Sequence, residues 1–336
     1  MRRAAAATAL MLALAGCTSS SPGSGLGGEP VPADSSPFAT RPPQPEAPPP
    51  GRTASTGAPS GRSSTAPPVR FDSAAVIRDI RRLAEQIGPR EATSPGFARA
   101  ADLVEDRLER LGYRVRRTRV MVPAGSSWGT PVRRGTSENV IGEPLGFDAR
   151  RPHVVVGAHL DTVAVSPGAE DNASGVAVTL ELARLAAVAA PGLPAQFVAF
   201  GAEEPRGSGD ALHHFGSRQL VADLPSASRR AIQAMVSLDR VGVAADHVPV
   251  CTGGPRGAPV RDALRRAARK VSVPSRRCFN RSSDHWSYEK AGVPAARIGS
   301  IPYRGYHSRH DVVSVVDRQQ LGWVGEVVWL WLQGLS

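Results

Sequence analysis

Six side chains along this 336-residue chain have the types and the order that a metal-assisted hydrolysis needs. His159 stands in Gly157-Ala158-His159-Leu160-Asp161, Asp171 opens Asp171-Asn172-Ala173-Ser174-Gly175, and Glu203-Glu204 follows Phe200-Gly201-Ala202. Asp239 ends Val236-Ser237-Leu238-Asp239, and His307 closes the series beside Tyr306. Imidazole nitrogen and carboxylate oxygen are zinc ligands, and two such ions about 3.5–4 Å apart clamp a hydrolytic transition state. Adjacent carboxylates after an apolar run repel one another unless cations or protons compensate. Neighbouring side chains point different ways, so Glu204 can bind a metal while Glu203 faces the attacking water as general base. Asp161, two residues past His159, is placed to hold that imidazole in one tautomer. Asp171 precedes a helix start, where an acidic residue is ordinarily an N-cap. Asn172 or Ser174 can cap equally well, which leaves Asp171 to bridge two ions.

Elements that end at these positions must do the positioning. Short apolar runs over 153–157, 196–200, 234–238, 248–251 and 295–298 read as buried strands. Helical patterns alternate with them over 174–190, 259–270, 285–291 and 318–332, after two amphipathic helices over 74–87 and 95–111. Gly112 is a C-terminal stop for the second of these, and residues 113–122 alternate apolar against Arg as a strand with one exposed face. The expected fold is α/β: a mixed, largely parallel central sheet with helices on both faces, in one catalytic domain over 71–336. Ligands then collect beyond the carboxyl ends of the strands.

Before that domain the composition changes. Arg2-Arg3 and the apolar stretch 4–15 read as a secretory signal over 1–16, too short to span a bilayer. Leu14-Ala15-Gly16-Cys17 resembles a bacterial lipobox, which implies a lipid on Cys17 and anchoring at the outer face of the cell membrane. Residues 17–70, rich in Pro, Ser, Gly and Thr, cannot bury enough apolar surface to offset their ordering entropy and read as a disordered tether. The formal charge is +11, and part of the excess lies over 261–277. No aromatic residues interleave there, so it reads as a solvated helix face and no nucleic-acid partner is expected. Cys251 and Cys278 remain for a possible disulfide in an oxidising compartment. A monomer is the working expectation for the oligomeric state.

Taken together these motifs resemble the bacterial two-zinc aminopeptidases of metallopeptidase family twenty-eight, from about Phe71 to the C-terminus. Ile87-Gly88-Pro89-Arg90, Asn139-Val140-Ile141-Gly142, Ser283-Asp284-His285-Trp286 and Tyr306-His307 belong to the same likeness. The resemblance implies that His159 and Asp239 hold one Zn2+, Glu204 and His307 the other, and Asp171 bridges them. It also implies that Glu203 is the base, that Tyr306 donates to the oxyanion, that the Asp171-Asn172 peptide is cis, and that peptides are the substrates. A related carboxypeptidase or aminoacylase chemistry, or a binding lipoprotein that keeps the fold, stays open. Several positions depart from the family pattern. Glu170 replaces an Asp, and Arg240 follows the ligand Asp239, pointing either into the pocket or to solvent. Loop 205–215 is long and carries His213-His214, read as exposed. His310 is a rival to His307, and Asp284-His285 reads as helix cap and pocket wall.

Overall fold

The computed structural model describes residues 69–336. The expected leader, Cys17 and nearly all of the expected tether lie outside the described residues. The chain enters through α1 (Ser73–Arg81), whose first N–H groups, from Ala74 and Ala75, donate to the Asp72 carboxylate. A wider-pitched turn, Arg82–Ile87, prolongs it, so the expected helix over 74–87 comes in two pieces. In α2 (Pro95–Arg110) Ser94 Oγ accepts from Phe97 N–H, Pro95 takes the first turn, and Gly112 follows at φ 85°, which a side chain would disfavour. The limits of α2 and its stop at Gly112 agree with the reading of the sequence.

The sheet begins at β1 (Arg114–Val122), runs past a small hairpin of β2 (Gly125–Ser127) and β3 (Thr130–Val132), and returns through β4 (Gly135–Glu143). Then come β5 (His153–His159), α3 (Gly175–Val188), β6 (Ala195–Phe200), α4 (Phe215–Asp223), α5 (Ser226–Ala231) and β7 (Ile232–Leu238). The remaining elements are β8 (Val248–Thr252), α6 (Ala258–Lys270), β9 (Ser275–Phe279), α7 (His285–Lys290), β10 (Ala295–Ile298) and α8 (Arg318–Gln333). Eight strands form one sheet in the order β1-β4-β6-β5-β7-β10-β8-β9. Its centre, β6-β5-β7-β10, is parallel, while the β1-β4-β6 flank and the β10-β8 pair are antiparallel. β4, β9 and the hairpin carry polar or charged residues at too many positions to stand out as apolar runs, and sequence patterning does not assign them.

Period-two alternation decides which face each central strand feeds. Val154, Val156 and Ala158 of β5 enter the larger core with α1, α2, α3, α6 and α8, while Val155 enters the smaller core with Leu220 of α4 and Tyr288 of α7. β6 and β7 divide in the same way, Phe197 and Val236 facing one side, Val198 and Met235 the other. Helices therefore cover both faces, and a parallel sheet so covered reads as continuous apolar runs. On α6 the apolar positions Val260, Leu264 and Ala268 are buried while Arg266 and Arg269 face outward, as expected for a solvated face. Cys251 and Cys278 sit opposite one another on the parallel strands β8 and β9 and form a disulfide. No helix among the described residues is long and apolar enough to cross a membrane.

Candidate metal centre

β5 ends at His159 and β7 ends one residue before Asp239, so the parallel register brings the two to neighbouring strand ends. His159 Nε2 lies 3.1 Å from Asp171 Oδ1 and 3.7 Å from Asp239 Oδ1. On the other side His307 Nε2 lies 3.1 Å from Asp171 Oδ2 and 3.4 Å from Glu204 Oε1. Asp171 thus turns one oxygen to each imidazole, and all five side chains are largely or wholly withdrawn from solvent. Glu203 shares the cavity, which measures about 180 Å³ and is also lined by Trp128, Arg240, Arg297 and Tyr306. His310 is exposed on the surface and does not line it.

The Asp171 loop is held from behind by contacts between distant parts of the chain. The Asp311 carboxylate accepts from the N–H groups of Glu170 and Asp171 at 2.8 and 3.0 Å. Asn172 Oδ1 accepts from Gly175 N–H and caps α3 in place of Asp171, and the Asp171-Asn172 peptide is cis. Glu170 is buried and accepts from the N–H groups of Gly242 and Val243, outside the ligand set. Arg90, with no exposed surface, donates to the carbonyls of Leu83, Gly88, Leu160, Pro167 and Gly168 at 2.7–3.1 Å. Those bonds clip the chain after α1, at Leu83 and Gly88, to the connection that runs from β5 to Asp171.

Three expectations need correction. The Asp161 carboxylate does not reach the His159 ring closely; its nearer oxygen is 3.9 Å from Nδ1. His159 Nδ1 instead meets the Asp161 backbone carbonyl at 3.1 Å, while the Asp161 carboxylate accepts from the N–H groups of Glu203 and Glu204. The residue therefore aims the two glutamates and, through its carbonyl, fixes the His159 tautomer. His214 is not on an exposed loop. It is buried, with Nε2 3.2 Å from Glu203 Oε1, because the chain doubles back so that His214 and Phe215 N–H groups donate to the carbonyls of Glu203 and Ala202. Asp284 precedes α7 but makes no side-chain cap; it is fully buried behind the cavity, with both oxygens unpartnered, and His285 is buried beside it. Arg240, left open by the sequence, lines the cavity.

The electrostatics of the donor set fit divalent cations. His159 Nδ1 faces a carbonyl and carries a proton, so Nε2 meets two carboxylates either through a second proton, which burial opposes but the neighbouring carboxylates hold on the ring, or through a cation between them. Glu204 Oε1 is buried with no hydrogen-bond donor. Burial pushes Glu203 up to about 8, helped by Asp239, Asp161 and Asp171 although His159 opposes it; burial also pushes Glu204 up to about 8, with Asp171 adding and His307 opposing. Burial would lower His307, yet Glu204 and Asp171 hold it up at about 10. Asp239 is held well below the usual carboxylate range: burial opposes this, and Arg297 at 2.9 Å drives it. Carboxylates that keep protons and an imidazole that will not release one are what a cation would replace. His159, Asp171 and Glu204 bring donor atoms within 4.8 Å of one another, as do His159, Glu203 and Asp239.

An open α/β sheet that gathers carboxylates and imidazoles at its strand ends is the framework of a metal-dependent hydrolase. Residues 139–332 match Peptidase family M28, more than half of the chain, and the chain belongs to that family. It is 32% identical over 204 residues to Aminopeptidase YwaD of Bacillus subtilis (strain 168), covering 57% of this chain and 43% of that protein. A second relative, Uncharacterized protein YfbL of Escherichia coli (strain K12), is 29% identical over 175 residues, 49% of this chain and 48% of its own length. The chain thus spans less than half the length of these curated relatives. The fold matches that of BSAP, a zinc aminopeptidase from Bacillus subtilis, with a TM-score of 0.67 at 20% identity over 78% of this chain and 94% of that one. A glutaminyl cyclase from Bacteroides thetaiotaomicron shares it as well, with a TM-score of 0.68 at 20% identity over 80% and 99% of the two chains.

Proposed function

We propose that this protein is a zinc-dependent exopeptidase that removes N-terminal amino acids from peptides. The observation that carries the reading is Asp171, with one oxygen 3.1 Å from each of two imidazoles, and Glu203 in the same cavity. His159 and Asp239 would hold one Zn2+, Glu204 and His307 a second, with Asp171 between them. Ions held by these residues would supply Lewis-acid polarisation of the scissile carbonyl and a more acidic water. Glu203 takes the proton of the attacking water and returns it to the leaving amine. Burial and neighbouring carboxylates raise Glu203 to about 8, and a cation alongside would bring it down toward neutral pH, where a base works best. Burial, aided by Asp171, keeps the Tyr306 hydroxyl protonated, so it can donate to the oxyanion that forms on the carbonyl oxygen. Asp161 holds Glu203 by its backbone N–H, and His214 lies with Nε2 3.2 Å from the Glu203 carboxylate, placed to steer it.

Export and anchoring through Cys17 belong to the same proposal. The leader, the lipobox-like residues and the Cys251–Cys278 disulfide, which suits an oxidising compartment, support it. Intact mass of membrane-fraction protein tests this directly, an unmodified Cys17 being the adverse result. For the catalytic reading, the test is a panel of aminoacyl-p-nitroanilides, free and N-acetylated, offered to the full chain before and after chelation. Cleavage of the free-amine substrates alone, lost on chelation and restored by zinc, is expected. Cleavage confined to the blocked substrates would replace the aminopeptidase with an acylase or endopeptidase.

A further inference from the structure

Arg240 brings to the cavity a positive charge whose one ion pair among the described residues, to Asp239 Oδ1, is long at 3.8 Å. Its neighbour Arg297 is committed: fully buried, it meets Asp239 Oδ1 at 2.9 Å and donates to Asn280 Oδ1 and the Ser282 carbonyl, each at 2.9 Å. The Arg240 guanidinium has one hydrogen-bond acceptor, the neutral Ser300 hydroxyl at 2.7 Å, and its Nε stays 3.8 Å from the Asp239 oxygen that Arg297 occupies. The side chain is nonetheless 13% exposed, so it is held and not loose. Its guanidinium carbon lies over the Tyr306 ring, 4.3 Å from the centroid.

The backbone is built to aim it. Arg240 sits at φ 58°, uncommon for a side chain of its size, with its N–H donating to Asn172 Oδ1 and its carbonyl accepting from Ser300 N–H. A left-handed residue directly after a ligand turns its side chain back over the cavity. Charge adds to the argument. Four carboxylates line this cavity (Asp171, Glu203, Glu204 and Asp239) against two guanidinium groups. Two divalent cations would already offset the four, so Arg240 leaves a surplus of positive charge when they are bound.

We propose that Arg240 reads a carboxylate on the substrate beside the scissile bond. Its place over Tyr306 leaves its free edge to form charge-assisted hydrogen bonds to a planar anion. Two sources present that chemistry: the side chain of an N-terminal acidic residue, or the free C-terminal carboxylate of a dipeptide. This specificity rests on the exopeptidase reading, and the measurement separates the two.

For the full chain with zinc, kcat/KM is compared within isosteric pairs: Glu- against Gln-p-nitroanilide, and Leu-Gly against Leu-Gly amide. Calorimetric Kd values for the same dipeptide pair and for glutamate amide against glutamine amide, taken on Glu203→Gln protein, provide a readout of both sources that needs no turnover. The carboxylate member is expected to lead by about tenfold or more in at least one pair, consistent with a charged hydrogen bond. The leading pair names the source. In Arg240→Met that ratio falls to near one, and in Arg240→Lys, which keeps the charge and loses the planar fork, it lies between. Equal use of both members by the wild type overturns the proposal. So does a ratio that survives Arg240→Met, which would credit the cations, or a loss shared equally by both members, which would reduce Arg240 to a support for Tyr306. Absence of all hydrolysis refutes the exopeptidase reading, while the Kd pairs still decide the role of Arg240.

Discussion

At the scale of single residues, the division of labour between two adjacent glutamates is the sharpest claim. Glu203→Ala is expected to keep its bound zinc by elemental analysis while turnover drops by roughly three or more decades, the combined loss of a base and of water placement. Glu204→Ala should lose metal instead, because its buried oxygen has no other partner. His214→Ala is expected to lower kcat about 10–100-fold at unchanged zinc content, the scale seen for residues that hold a catalytic group; His214→Gln, which retains a donor, should recover part. An unchanged pH profile and kcat in His214→Ala would remove it from the site. The candidate ligands His159, Asp171, Glu204 and Asp239 were legible in the sequence because each ends or follows an apolar strand or opens a helix, while His307, in the loop after the last core strand, was placed by the family resemblance. His214 was not. Its contact with Glu203 depends on a loop that doubles back, and nothing in His213-His214 signals that fold. Asp161 was legible as a support, but its target was misjudged, since which of its oxygens meets which partner is decided by the path of the following loop.

At the scale of elements, the central strands were readable because both their faces are buried, whereas β4 and β9 were not, because ladder pairing with a neighbour holds them and their side chains carry no pattern. The loops are held by one buried arginine. Arg90 ties five carbonyls, and Arg90→Met would remove that donor from all of them, those of Leu83 and Gly168 alone keeping a backbone N–H partner outside the regular elements. The expected cost is about 3–5 kcal/mol in a urea titration, with Arg90→Lys recovering little because an ammonium cannot span the same fork. A cost under 1 kcal/mol would show that the two loops keep their places without it. Burial lowers Arg90 to about 10, still charged at neutral pH, so the bonds persist across the working range.

For the molecule as a whole, stability and metal binding should be linked through pH. In chelated protein Glu203 and Glu204 titrate at about 8 and His307 at about 10, all above their ordinary values. Between about pH 4.3 and 8 the native glutamates keep protons that the unfolded chain has released, and from about 6.5 to 10 His307 does the same. Native protein binding more protons means stability falls as pH rises. Chelated protein should therefore melt at a higher temperature near pH 5.5 than near pH 8, and zinc should raise the melting temperature most at pH 8. A chelated protein that gains stability toward pH 8 would contradict these assignments. The disulfide is a separate staple. Replacing Cys251 and Cys278, 27 residues apart, with Ser should cost about 2–4 kcal/mol and leave turnover near its wild-type level, since neither residue lines the cavity.

The central claim is a site for two ions worked by a single base, and a zinc titration of the chelated full chain tests it most directly. Bound metal and turnover of a free-amine substrate are followed together. The account predicts that two equivalents bind and that turnover appears with them, and that Glu203→Ala takes up the same two equivalents without turnover. Saturation at one equivalent, or turnover that persists after chelation, would contradict it.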